Sequence, residues 1–198
     1  KVHRAVRYTG PQGHTDYYAP DGHSMRKTFL RTPVAFSRIS SRFNLARKHP
    51  ILNRIRAHKG VDYAASRGTP ITATGNGKID WLGKKGGYGN TIVIQHGSKY
   101  STLYAHLNSY GRGLKKGSRV RQGQIIGYVG SSGLASGPHL HYEFRVDGVH
   151  RNPLTVKLPN AAPLPAKYRD QFKLASSNLL AQLETAKTTA TVAALQSE

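Results

Sequence analysis

Four histidines and one aspartate fall into short motifs whose spacing suits metal-assisted hydrolysis. The first motif is His58-Lys-Gly-Val-Asp62. The second is His139-Leu-His141, preceded by Ser136-Gly-Pro, and between the two His106 sits in Leu103-Tyr-Ala-His-Leu107. Zinc takes histidine nitrogen and aspartate oxygen, and a catalytic zinc site keeps three protein ligands and one position open for water. This set supplies three ligands with histidines to spare. Neither motif is specific alone in a chain with ten histidines; their order and local context carry the argument.

Geometry constrains each motif. On a straight strand, residues four apart stand about 13 Å from one another, too far to share an ion. On a helix they would share a face, but Gly60 and Val61 are poor helix residues and no helical apolar pattern surrounds them. A segment bent at Gly60 remains, and the alternative is an exposed loop histidine beside an aspartate that binds local backbone. In the second motif His139, His141 and Glu143 alternate with Leu140, Tyr142 and Phe144. That period of two predicts a strand with one polar and one apolar face. The two imidazole stems then stand about 6.6 Å apart, so one can ligate while its neighbour handles a proton. Spacing does not decide which does which.

These residues, in this order, resemble the LytM-type (lysostaphin-like) zinc metallopeptidases, which cut peptide cross-links in bacterial peptidoglycan. Ile39-Ser-Ser-Arg-Phe-Asn44, His49-Pro-Ile51, His58-Lys-Gly-Val-Asp-Tyr-Ala64, Gly68-Thr-Pro-Ile71 and Asn152-Pro-Leu154 look most like the Gram-negative envelope D,D-endopeptidases of the MepM type. The resemblance covers roughly residues 17–160. It implies that His58, Asp62 and His141 are ligands of one Zn2+, that His139 is the general base, and that His106 orients or stabilises at the reacting centre. It also implies a periplasmic or cell-envelope location and a D-alanyl to diaminopimelate bond as substrate. No residue selects that bond by its own physics. All five positions are present, which argues against the family's inactive branch. Glu143 is open to two readings, an orienter of a ligand histidine or a plain surface or salt-bridge residue.

The remaining histidines receive no site role. His96 ends an alternating run, Asn90-Thr-Ile-Val-Ile-Gln-His96, and is read as structural. His3, His14, His23 and His150 lie in polar, glycine-flanked stretches, and His49 precedes Pro50 in a basic loop that would rim a cleft. Gly86-Gly-Tyr-Gly89 and Gly130-Ser-Ser-Gly133 lack the strand and helix context of phosphate loops and are assigned to turns. Tyr88, on the first of them, either lines a substrate groove or simply packs.

The elements that must position these residues are strands. Glycine is abundant at 21, proline numbers 10, and short apolar runs alternate with turn signals. Ile71-Thr-Ala, Gly77–Leu82, Thr91–His96, Ser101–His106, Arg119-Val120, Gln124–Val129 and His139–Val146 read as strands. Tyr17-Tyr18 and Thr28-Phe29-Leu30 flank Pro20-Asp-Gly22, a turn signal that predicts a hairpin. A faint echo relates Gly68-Thr-Pro-Ile71 and Gly77-x-Ile79 to Gly117-Ser-Arg-Val120 and Gly123-x-Ile125. Beyond a proline-rich stretch at 159–165, Tyr168, Phe172, Ala175, Leu179 and Leu183 recur at helical spacing. They predict an amphipathic helix from about 166 to 186 that packs on the domain. The expected fold is all-β, with antiparallel sheets in a barrel-sandwich hybrid with an open groove, as the resemblance implies, plus this C-terminal helix. Residues 1–32 are expected to be an attachment segment from an upstream domain, 33–158 the peptidase domain, and 159–198 a linker, helix and tail.

Charge is the other extreme feature: 30 Lys and Arg face nine acids, a formal net charge of +21. Residues 161–198 hold only four of the basic residues, so the charge belongs to the body rather than a tail. Such a field favours polyanions. Without a helix-turn-helix, RNA-recognition or zinc-finger signature no specific nucleic acid is expected, and anionic envelope polymers are the fitting partners beside peptidoglycan. Absence of cysteine rules out disulfides. No apolar run approaches the ~18 residues of a membrane span, and no signal peptide is visible, which suggests a processed portion of something longer. Two alternatives stand beside the hydrolase: a non-catalytic wall-binding or amidase-activating module of the same fold, and a basic nucleic-acid-binding protein with incidental histidines.

Overall fold

Strand-forming sequence dominates the computed structural model, which describes every residue except 1, 2, 12, 14, 36, 47–56 and 196–198. His14 and His49-Pro-Ile51 therefore lie outside the described residues. The chain divides into two compact units, 29–157 and 1–28 with 158–198.

Unit 29–157 holds eleven of the thirteen described strands: β3 (Arg38–Ser41), β4 (Val61–Ala64), β5 (Pro70–Thr72), β6 (Gly77–Lys84), β7 (Asn90–His96), β8 (Tyr100–Ala105), β9 (Leu107–Tyr110), β10 (Arg119–Val120), β11 (Ile125–Val129), β12 (His139–Val146) and β13 (Val149–Arg151). One antiparallel sheet runs β10-β6-β7-β8-β12-β4-β3, with β13 paired to β12. A second runs β5-β11-β9. The alternation of β7 and β12 explains the core. Ile92, Ile94, Leu140 and Tyr142 point inward, where they meet Val61, Tyr63, Ile79 and Tyr104 of the larger sheet and Ile71, Leu107 and Ile126 of the smaller. Burying such side chains contributes about 1.5–3 kcal/mol each.

All seven strands expected in this body form. Sequence reasoning missed β3, β4, β9 and β13. The echo noted above falls on two segments that cross between the sheets in opposite order: β5 pairs β11 and β6 pairs β10.

Below the site the core is polar at one point. Thr74 is fully buried; its hydroxyl bonds both Tyr104 (3.0 Å) and Tyr142 (3.0 Å), and its backbone N–H donates to the Tyr104 hydroxyl (2.9 Å). Thr102 donates to Tyr104 as well and bonds His96 Nε2, and His96 Nδ1 donates to the Asn76 carbonyl. His96 is thus a structural histidine, packed edge-on to Phe29.

In the other unit, β1 (Val6–Thr9) pairs β2 (Thr15–Tyr18). Val6, Tyr8, Leu164 and Phe172 form its core, with both tyrosines 8 and 18 edge-on to Phe172. The hairpin expected across Pro20–Gly22 does not form. Tyr18 is already paired to Val6, and only a single bridge to Ser24 closes the turn. The C-terminal helix α1 (Arg169–Leu195) starts after a short 3-10 turn and outruns the expected end. Among its described side chains the buried ones are Phe172 and Ser176, whereas Leu179 and Leu183 of the expected stripe are exposed. No described helix is long and apolar enough to cross a membrane.

Thr74→Val should destabilise unit 29–157 by about 1–3 kcal/mol in urea unfolding, because it orphans a buried tyrosine hydroxyl while preserving shape. Adding Tyr142→Phe should recover part of that loss, since both partners are then apolar.

Candidate metal centre

Register brings the two motifs together. β12 and β4 pair with His141 directly opposite Asp62. Opposed residues share a face, so His141 Nδ1 reaches Asp62 Oδ1 at 2.8 Å. His58 precedes β4, in a bridge to Asn44, and the chain bends at Gly60 before the strand begins. That bend turns a four-residue separation into a contact: His58 Nε2 lies 3.0 Å from Asp62 Oδ1 and 3.2 Å from His141 Nδ1. Gly60 is required by space. A Cβ there would stand 2.6 Å from the Tyr142 carbonyl and 2.7 Å from the His141 ring.

His58, Asp62 and His141 thus present three ligand atoms within 4.8 Å of one another. Ligand atoms around tetrahedral zinc, with bonds of about 2.1 Å, stand about 3.4 Å apart. The three atoms are a few tenths of an ångström closer than that, and two nitrogens with one carboxylate oxygen are a donor set that zinc accepts. The residues fit the ion.

Hydrogen bonds set the tautomers. A carbonyl only accepts, so His58 Nδ1, 2.8 Å from the Arg42 carbonyl, carries the proton and leaves Nε2 for a metal. His141 faces a carboxylate on each side, Asp62 at Nδ1 and Glu143 at Nε2 (3.2 Å). Burial alone would lower its pKa; the bonds to Asp62 and Glu143 outweigh burial and raise it to about 9. Asp62 responds in the opposite sense. Burial would raise its carboxyl, but the bond from the His141 ring and that ring's charge hold it well below the usual carboxylate range.

Glu143 is fully buried. It accepts from the Tyr88 hydroxyl (2.7 Å), from Arg145 Nε (2.9 Å) and Nη2, and pairs with His150 Nε2 at 3.0 Å. Against the desolvation that would raise it, the bonds from His141 and Tyr88 and the Arg145 charge hold its pKa at about 2. Glu143 is therefore no plain surface charge: it is buried and paired with Arg145. Of the two readings open for Tyr88, the groove-lining one is what forms; Arg145 and His150 were not assigned to the site from the sequence. For Arg145 the period of two was an available signal, because it continues the His139, His141, Glu143 face.

His139 and His106 stand beside this group, with ring centroids 4.7 Å apart. His139 Nδ1 donates to the Gly137 carbonyl (2.8 Å), and its Nε2 lies 4.0 Å from Asp62 Oδ1. His106 Nδ1 donates to the Ser132 carbonyl (2.8 Å). The backbone of His106 has φ 61°, a left-handed conformation uncommon outside glycine. Its N–H is anchored on the Tyr88 carbonyl. Burial pushes the His106 imidazole below its ordinary pKa, only partly offset by the Ser132 bond. The two glycine loops supply this setting. Gly89 and Gly133 are so close that a Cβ on either would fall 2.4 Å from the other loop's backbone, and both have positive φ. From these loops Gly87, Tyr88, Leu134 and Ser136 wall a cleft of about 730 Å³ over the group.

A metal held by these three residues would have to displace the proton on His141 Nδ1 at neutral pH. Zinc titration near pH 7 should therefore release protons, with calorimetric heats that depend on the buffer's ionisation enthalpy, and affinity should fall as pH drops. Buffer-independent heats would contradict this assignment. Glu143→Gln should weaken zinc binding about 10–100-fold in chelator competition.

Comparison with known proteins adds the lineage. Peptidase family M23 matches residues 56–153. The peptidoglycan DD-endopeptidase ShyC of Vibrio cholerae serotype O1 is 45% identical over 169 residues, 85% of this chain and 39% of that protein. The present chain thus spans about two fifths of that relative's length. Among solved structures, a zinc-containing peptidase from Vibrio cholerae aligns with TM-score 0.65 and 36% identity, over 78% of this chain and 47% of that one. The catalytic domain of lysostaphin from Staphylococcus simulans aligns with TM-score 0.53 and 31% identity, over 60% of this chain and 90% of that one. With the ordered motifs, the sheet register and these likenesses in agreement, the chain belongs to peptidase family M23.

Proposed function

We propose that this chain carries the catalytic domain of a zinc-dependent peptidoglycan endopeptidase that hydrolyses peptide cross-links, with the D-alanyl to diaminopimelate bond as substrate. The observation that carries the reading is the convergence of His58, Asp62 and His141 at one point, with His139 and His106 alongside in a cleft. His58, Asp62 and His141 are the ligands in this reading. Zinc bound there supplies a Lewis acid for the scissile carbonyl and an acidified water at neutral pH.

His139 is the general base. Its Nδ1 proton is committed to the Gly137 carbonyl, so the neutral ring offers an unprotonated Nε2 on the Asp62 side. It takes the water's proton and later passes it to the leaving amine. His106 has the same polarity. With Nδ1–H on the Ser132 carbonyl and burial favouring the neutral ring, its Nε2 accepts rather than donates. That favours holding the nucleophilic water over stabilising an oxyanion.

Residues 33–158 are the peptidase domain in this reading, 1–32 an attachment segment and 159–198 a linker, helix and tail. The two sheets correspond to the barrel-sandwich hybrid of the family, with the cleft as its open groove. The named activity of ShyC supports the substrate class and a place in the Gram-negative envelope, in the periplasm. The surplus of basic residues suits anionic envelope polymers as further partners.

Digestion of purified Gram-negative sacculi tests the proposal, with products separated by mass. Cross-linked dimers should convert to monomers, and chelator or His141→Ala should abolish this. His139→Ala should retain zinc and lose about 10²–10⁴ in kcat. Stoichiometric zinc binding with untouched cross-links in every substrate tried would instead favour a wall-binding module.

A further inference from the structure

The metal-binding group occupies one corner of a larger face. Directly opposed residues of antiparallel strands point to the same side of a sheet. One row on the outer face of the larger sheet runs Trp81, Val93, Leu103, Glu143. A neighbouring row, two residues along, runs Arg119, Lys78, Gln95, Ser101, Arg145. At its β10–β6 end this second row opens into a groove of about 1090 Å³, lined by Lys78, Lys116, Arg119 and Arg121.

This groove exceeds the cleft over the metal group, and four cations face a single acid in its lining. All four cations are exposed. Among the described residues none of them enters an ion pair, and Asp80, the single acid in the lining, pairs with none of them. Lys78 and Arg119 are direct register partners, and like charges directly opposite destabilise a strand pair. Nothing in the packing of this sheet edge requires two cations there. Three strand steps and four residues along the strands separate Lys78 from His141, a distance of about 20 Å on one sheet.

We propose that this groove is a second binding site for carboxylate groups of the polymer substrate: the stem peptides of peptidoglycan that neighbour the cross-link in the cleft. The inference rests on the peptidoglycan reading above. Stem peptides carry free carboxylates on their acidic and diaminopimelate residues, and the planar fork of arginine matches a carboxylate with two parallel bonds. A cross-linked wall presents many stems at once, so a site rigidly joined to the cleft by one sheet raises the local concentration of the next cross-link. A phosphate-bearing polymer would satisfy the same charges, and binding to anionic phospholipid vesicles distinguishes it.

The test measures binding to purified sacculi in a His139→Ala background, which stops cleavage while leaving the ligand set intact. Lys78→Gln/Arg119→Gln/Arg121→Gln should weaken binding about tenfold, the sum of several exposed charge contacts, and flatten its salt dependence. A control triple with the same net charge, Lys84→Gln/Lys99→Gln/Lys157→Gln, should bind as the parent does. In the active background the groove triple should cleave small soluble cross-linked dimers at the parental rate and intact sacculi more slowly. Equal losses in both triples would overturn the site in favour of net charge alone. Undiminished sacculus binding, with weaker binding to anionic phospholipid vesicles, would overturn it in favour of a phosphate site. Failure of the parent to cleave even soluble dimers would defeat the endopeptidase reading, while the sacculus comparison would still decide the groove.

Discussion

The pairing of Asp62 with His141 across β4 and β12 is the constraint on which the site depends. A one-residue slip would turn each to the opposite face and place an ionised carboxylate in the apolar core. Register is held by the alternate residues: Val61 and Tyr63 from β4 and Leu140 and Tyr142 from β12 fill the space between the sheets. The same pleat therefore specifies a hydrophobic interior and a chemically active exterior. Glu143 extends the arrangement along β12, so that His141 is gripped between two acids.

Buried charge on this scale is costly unless compensated, and the protein compensates it locally. Glu143 gathers bonds from Tyr88, Arg145, His150 and His141. Those partners come from β12 itself, the following hairpin strand and a loop more than fifty residues earlier. The hydroxyl cluster around Thr74 fixes the other side of the same strands. The histidine rings are thus held from both faces of the sheet before any ligand arrives.

The chemistry of the site was more legible in the sequence than its setting. His139-x-His141 announced itself by a period of two, and glycine in His58-x-x-x-Asp62 indicated the bend. β4 escaped notice because its alternation, Val61 and Tyr63 inward with Asp62 between them, lasts only four residues. β9 was hidden because it begins one residue after β8 ends, across the left-handed backbone of His106. The burial of Glu143 could not be foreseen, since Tyr88, whose loop covers it and whose hydroxyl it accepts from, is distant in sequence. At the C-terminus the apolar stripe was read as a packing face, yet helix spacing cannot say where the neighbouring layer stops. The packed part ends after Ser176.

Two glycines in separate loops, Gly89 and Gly133, touch backbone to backbone beside the cleft. Neither loop can gain a side chain at that point without pushing the other away, and the Ser132 carbonyl that orients His106 moves with them. The wall consequently behaves as a single hard edge rather than two independent flaps.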